Sequence, residues 1–206
     1  MSSNTNSPAY KLIFDIITIR MTIIAITGTI GAGKGTIVEY LQTKGFAHYS
    51  ARDFFLKEVR RRNLPETRDN ILMIANELRK NHFPGYTIGE LLKEAQIKGQ
   101  DAVIESIRAF GEVDLLKEQA PGFILLAVDA DLKVRYDRIV KRGSSTDNVT
   151  FEKFVADENK EMDAKEPWQT NIKGCMKQAD FLLSNNGSVE ELHQKIDDML
   201  AKIRPQ

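Results

Sequence analysis

Short apolar runs alternate along this chain with longer stretches whose apolar residues recur every three or four positions. Ile23 to Thr27 reads as a buried strand, and Ile37 to Thr43 continues as a helix with Ile37, Tyr40 and Leu41 on one face. Phe46 to Tyr49 gives a second strand. Ser50 can cap a helix reaching Arg62 with Phe54, Phe55 and Val59 inward, and Thr67 can cap another carrying Ile71, Ile74, Ala75 and Leu78. Thr87 to Ile97 adds a helix with Ile88, Leu91, Leu92 and Ala95 on its face. A third strand, Ala102 to Ser106, precedes a helix from Gly111 to Glu118. Phe123 to Val128 is the most apolar strand, and Asp131 to Arg142 is helical. Two polar helices are expected over 151–165 and 168–178, then a strand at Phe181 to Leu183 and a closing helix from Val189 to Ile203. Five strands alternating with helices predict an α/β fold, a parallel sheet covered on both faces that binds ligands at the carboxyl ends of its strands. The helices between the second and third strands form an insertion over about 50–100, read as a cap, and about 142–170 reads as a short lid.

The junction of the first strand and helix carries the chemistry. Gly28-Thr-Ile-Gly31-Ala32-Gly33-Lys34-Gly35-Thr36 places four glycines within eight residues, then a helix. Backbone N–H groups wrap an anion where no Cβ intrudes, and the helix start aims its free N–H groups at the same point. Gly28-x4-Gly33-Lys34 fits the phosphate-binding P-loop in its required strand–loop–helix setting. The Ser/Thr usual directly after the lysine is displaced to Thr36. The expected fold is thus a P-loop NTPase with a five-stranded parallel sheet flanked by helices. Loop residues Gly28, Gly31, Ala32, Gly33, Lys34, Gly35 and Thr36 hold the phosphates of ATP.

At 206 residues the chain can bury a proper core in one domain, taken as 21–206. Residues 1–20 read as an extension, or as sequence upstream of a start at Met21. Lysine plus arginine and aspartate plus glutamate balance at 29 each, so no global field recruits nucleic acid or an acidic membrane. The single Cys175 forms no intramolecular disulfide and suits a reducing, cytoplasmic setting, as buried filler. A monomer or homodimer acting on a small nucleotide is expected.

Phosphoryl transfer needs positioning and compensation of phosphate charge. Glu105, ending the third strand, is placed to face Mg²⁺ together with Thr36, or else caps the next helix. Arg108 can grip a phosphate, or pair with Glu112 at i+4. Arg135, Arg138 and Arg142 share one helix face, read as a lid over a triphosphate or as a solvated stripe, with Asp131 a partner for Arg135. Asn185, Asn186 and Gly187 follow the last strand, with Asn186 the candidate for the purine, and they equally suit an ordinary turn.

The phosphate loop, with glycine and then threonine after its lysine, resembles that of the nucleoside monophosphate kinases. Asp137 to Arg142 resembles the segment leading into the lid of adenylate kinases, and Ala179 to Leu192 resembles the end of dephospho-CoA kinases. Val103 to Arg108, with Arg68 to Arg79, looks like archaeal-type nucleotide kinases related to both. The resemblance covers about Met21 to Ile203 and implies ATP and Mg²⁺ as cofactors and a nucleoside monophosphate or related nucleotide as acceptor. Arg108 would then hold the acceptor phosphate while Arg138 and Arg142 compensate developing charge. The chain departs from the adenylate kinase pattern in having Leu56 where an arginine follows Asp53 by three, Glu105 for an aspartate, and no lid arginine from 143 to 165. A dephospho-CoA kinase would instead use Asp53 as base toward a ribose hydroxyl, and a further alternative is an ATP-binding regulator without transfer.

Overall fold

Strand β1 (Ile23–Gly28) lies at the centre of a sheet whose order is β2-β3-β1-β4-β5, with every pairing parallel. The other strands are β2 (Ala47–Ser50), β3 (Ala102–Glu105), β4 (Ile124–Asp129) and β5 (Phe181–Ser184). The computed structural model describes residues 21–144 and 147–203, so the extension expected at 1–20 lies outside the described residues. Ile26 pairs with Glu105 on one side and Leu126 on the other, and Ser50 pairs with Glu105. This register brings Gly28, Ser50, Glu105 and Asp129 to one carboxyl rim.

The strands are apolar on both faces because both are covered. Ile24 and Ile26 pack on one side with α1 (Lys34–Thr43) and α9 (Val189–Ile203), through Ile37, Leu41, Leu192 and Ile196. Ile23 and Ala25 face the other side, toward α2 (Ala51–Arg61), α3 (Arg68–Asn81), α4 (Tyr86–Lys98) and α5 (Phe110–Gln119). Cys175 belongs to this second layer, and burial pushes its thiol up to about 12, as suits filler. The expected caps form: the Ser50 and Thr67 hydroxyls accept from the N–H groups of Asp53 and Asn70. Among the described residues no helix is long and apolar enough to cross a membrane.

After α6 (Leu132–Arg142) the structure corrects the expected helices. Helix α7 (Phe151–Met162) stops three residues before 165, and α8 is confined to Ile172–Lys177. Asn171 is the reason. Its Oδ1 accepts from Gly174 N at 2.7 Å, a cap that starts α8, while its own N–H donates to Arg108 O at 2.6 Å and its Nδ2 to Ala164 O at 3.0 Å. The polar stretch expected to be helical is thus a loop stitched to the backbone of Arg108.

A buried ion pair holds the three-helix insertion to the body. Arg79 of α3 donates from Nε to Glu112 Oε1 of α5 at 2.8 Å, and both residues are at most 1% exposed. Glu112 Oε2 also accepts the N–H groups of Arg108 (2.7 Å) and Ala109 (3.1 Å), capping α5. Removing the carboxylate strands a charged guanidinium in the core. Glu112→Ala is therefore expected to cost about 3–5 kcal/mol in chemical denaturation. A loss below about 1 kcal/mol would mean that the pair does not fasten the insertion.

Candidate functional site

The loop from β1 into α1 is shaped by close backbone approach. Gly33 adopts φ +104°, and a Cβ there would lie 2.3 Å from Asn185 Nδ2, so only glycine fits. Asn185 in turn donates from Nδ2 to Ala32 O at 2.8 Å. With α1 beginning at Lys34, the unpaired N–H groups of its first turn open onto the loop's concave side. The Lys34 ammonium crosses the mouth of the loop, donating to Gly28 O (2.9 Å) and Thr29 O (2.7 Å). Burial, and then the charge of Arg108, lower its pKa to about 7 against the pull of Glu105 and Glu161.

The loop is braced from beneath. Thr29 Oγ1 donates to Asp129 Oδ1 at 2.5 Å. Arg135 donates to Ala130 O at 2.7 Å and Ile30 O at 3.2 Å and pairs with Glu158 of α7. Arg135 is 5% exposed, which corrects the expectation that it shares the triphosphate-facing side with Arg138 and Arg142 and that Asp131 partners it.

A cavity of about 530 Å³ opens above the loop, with Gly31, Gly33, Lys34, Gly35 and Thr36 along its floor. The end of β3 supplies Glu105, Ser106 and Arg108. Ser106 holds φ +72°, an unusual left-handed turn for a residue with a Cβ, and Ile107 N then donates back to Ile26 O at 3.0 Å. That turn re-aims the chain so that Arg108 reaches the cavity. Glu105 does not cap α5, a task taken by Glu112. It accepts from Ser50 Oγ at 3.0 Å and lies 3.4 Å from His48 Nε2. Burial would raise its carboxyl, but His48, Ser50 and Lys34 together hold it below the usual glutamate range.

The guanidinium groups of the cavity are engaged by carboxylates. Arg108 pairs with Glu161 of α7 rather than with the side chain of Glu112, and Glu161 restores the charge that burial opposes. Arg142 binds Asp147 through Nε (2.7 Å) and Nη2 (2.8 Å), and Arg68 reaches the same carboxylate at 3.2 Å. Burial would raise Asp147, yet the Arg142 bonds and Ser144 hold it at about 2. Arg138 donates to Asn185 O at 2.8 Å.

Of the residues expected from the sequence, Gly31, Gly33, Lys34, Gly35, Thr36, Glu105, Arg108, Arg138 and Arg142 meet at this cavity. Gly28 and Ala32 are buried beneath it and contribute carbonyls to Lys34 and Asn185. Asp53 is exposed and outside the lining, with its backbone N–H spent on the Ser50 cap. Asn186 is exposed too, exchanging hydrogen bonds with Asp131, so the residue that touches the loop is its neighbour Asn185. The helical insertion read as a cap supplies one wall of the cavity, through residues not singled out for it from the sequence: Arg52, Phe55, Arg68, Ile71 and Leu72 of α2 and α3. Its signal was an arginine placed three residues before an apolar one on each helix, Arg52 with Phe55 and Arg68 with Ile71.

Comparison with known proteins agrees with this geometry. An AAA domain family matches residues 24–169. The UPF0200 protein PAE1629 of Pyrobaculum aerophilum is 31% identical over 185 residues, covering 89% of this chain and 99% of its own length. Among solved structures, TT1252 from Thermus thermophilus superposes with a TM-score of 0.58 at 22% identity, covering 89% of this chain and 98% of that one. Shikimate kinase from Acinetobacter baumannii, in complex with shikimate, gives 0.57 at 14% identity, covering 92% and 98%. At these identities the two structural likenesses are likenesses of fold alone. By its P-loop, its sheet and its relatives, the chain belongs to the UPF0200 family and carries an AAA-type P-loop domain.

Proposed function

We propose that this protein transfers the terminal phosphoryl group of ATP to a nucleoside monophosphate or a closely related nucleotide. The observation that carries this reading is one cavity lined by the phosphate loop and Lys34 together with arginines and apolar side chains of α2 and α3. The N–H groups of α1 and the Lys34 ammonium would hold the donor phosphates. Thr36 and an ionised Glu105 are oxygen donors on the same cavity, which fits Mg²⁺, a hard cation needing few protein ligands. When bound, that ion neutralises charge on the donor phosphates. Arg108 and Arg138 add positive charge beside the transferred group.

An acceptor phosphate ionises with a second pKa of about 6, so no general base is needed near neutrality. That suits a site whose candidate base, Asp53, points away from the cavity lining, and it weighs against a hydroxyl acceptor activated by Asp53. A second reading, ATP binding without transfer, is favoured by the carboxylates that already engage Arg108 and Arg142.

Incubation with Mg·ATP and a panel of monophosphates plus dephospho-CoA separates these readings. A nucleoside diphosphate product supports the proposal, whereas ATP binding with no product from any acceptor supports the regulator. Lys34→Ala is expected to lower kcat/KM by roughly 100- to 1,000-fold, and an unchanged value would contradict the assigned role.

Lys34 also sets a pH dependence. Its pKa of about 7 means that the polyphosphate-binding, protonated form dominates below neutrality and is lost as pH rises above it. Mg·ATP affinity should therefore weaken above about pH 7, by up to tenfold per pH unit, until the bound-state pKa is reached. Calorimetry in buffers of different ionisation enthalpy should detect proton uptake on binding near pH 8, absent in Lys34→Ala. Binding without proton uptake there would exclude the assigned linkage.

A further inference from the structure

We infer that Glu161 of α7 is an internal stand-in for a phosphate: in the empty protein its carboxylate occupies Arg108, and a polyphosphate entering the cavity must displace it. This deepens the kinase reading by naming a regulation of the same site, and it rests on that reading. Glu161 and Arg108 line the cavity together with the phosphate loop and Lys34. Arg108 donates from Nη1 to Glu161 Oε2, and both side chains are largely withdrawn from solvent. Lys34 senses the same carboxylate, whose charge works to raise it.

Neither partner needs the other to hold its place. The backbone of Arg108 is anchored separately, since its N–H donates to Glu112 Oε2 at 2.7 Å and its carbonyl accepts from Asn171 N at 2.6 Å. Glu161 stands in the last turn of α7, where a negative charge opposes the helix dipole. The earlier turns of α7 are fastened without it: Phe154 packs with Ile30 and Ile139, and Glu158 pairs with Arg135 beneath the phosphate loop. Beside Glu161, Lys160 reaches Asp69 of α3 at 3.1 Å, but that pair is solvent-exposed and holds little. Glu161 can therefore leave Arg108 while the packed start of the helix stays seated.

Charge decides what happens when a ligand arrives. From 143 to 165 the chain has six carboxylates and no arginine. This segment brings negative charge to the site, where gripping a phosphate would ask for positive charge. A phosphate bonded to Arg108 beside an ionised Glu161 would set like charges side by side in a partly enclosed cavity. A polyphosphate outcompetes the single carboxylate because Lys34 and the loop amides bind it at the same time. The two anions exclude each other, so the ligand opens what the empty site keeps shut.

The test is calorimetric titration of Mg·ATP into the full-length wild-type protein, Glu161→Gln, Arg108→Gln and the double variant, with circular dichroism to confirm that each is folded. Glutamine keeps the shape of the side chain and removes its charge. Glu161→Gln should bind Mg·ATP about 10- to 100-fold more tightly than wild type, as release of a charge-assisted bond implies. Arg108→Gln should bind more weakly, and adding Glu161→Gln to it should gain no more than about threefold. In the wild-type protein, hydrogen exchange at the amides of 158–162 should quicken when Mg·ATP binds, because the last turn loses its anchor. This second measurement decides alone if Glu161→Gln does not fold. Unchanged or weaker binding by Glu161→Gln, an equal gain in the Arg108→Gln background, or slower exchange in that turn would each overturn the inference. Product formation by a wild-type protein whose affinity Glu161→Gln leaves unchanged would overturn it while the kinase reading stands. Tighter binding by Glu161→Gln with no product from any acceptor would support it and count against transfer.

Discussion

Crowding of like charge around one partly enclosed cavity is the constraint on which the rest of this structure depends. Lys34, Arg52, Arg68, Arg108 and Arg142 face the same space, and at an effective dielectric near 20 two unit charges about 4 Å apart repel by roughly 4 kcal/mol. Burial first, and then that repulsion, lowers the pKa of Lys34 and Arg52. The protein offsets it with carboxylates from one segment, the loop before α7 and α7 itself: Asp147 for Arg68 and Arg142, Glu161 for Arg108, and Glu158 for Arg135 beneath the phosphate loop. These pairs hold the guanidinium groups in place.

The sheet makes such crowding geometrically possible. Its parallel register ends β1, β2, β3 and β4 at one rim, so a phosphate loop, a carboxylate and an arginine converge without any one loop being long. The rim is then fixed by main-chain contacts. Asn185 fills the space behind Gly33, and Arg135 ties the carbonyls of Ile30 and Ala130 together. Asn171 anchors the backbone of Arg108. Precise placement of phosphate-binding groups is what phosphoryl transfer demands of a protein, since the chemistry itself asks for little else.

The phosphate loop, the strands and the Ser50 and Thr67 caps were legible in the sequence because each rests on a local requirement: glycine where the backbone approaches closely, two-sided burial of a parallel strand, a hydroxyl ahead of a helix. Asn185 was legible in principle. Strand alternation continues past β5, with Leu183 buried, Ser184 exposed and Asn185 buried, which directs Asn185 inward and Asn186 to solvent. The arginine face of α6 misled for a different reason. Arg135 and Arg142 do share an azimuth, but seven residues separate them by about 10 Å along the axis, enough to put one under the phosphate loop and the other on the cavity. The wall from Arg52 to Leu72 depended on how α2 and α3 fold back over the rim, and the spacing of arginine and apolar residue on each helix marks a shared helix face without recording that fold-back.

The central proposal is that the cavity takes two nucleotides at once, the donor's phosphates at the phosphate loop and the acceptor's phosphate beside them. Its most direct test is the affinity of a dinucleoside pentaphosphate, in which one chain of phosphates joins the two nucleosides, measured against that of ATP. Joining two occupied subsites should tighten binding by about 100-fold or more over ATP alone, because the second contact becomes intramolecular. An analogue that binds no more tightly than ATP would contradict the account, since it would mean that the cavity takes one nucleotide only.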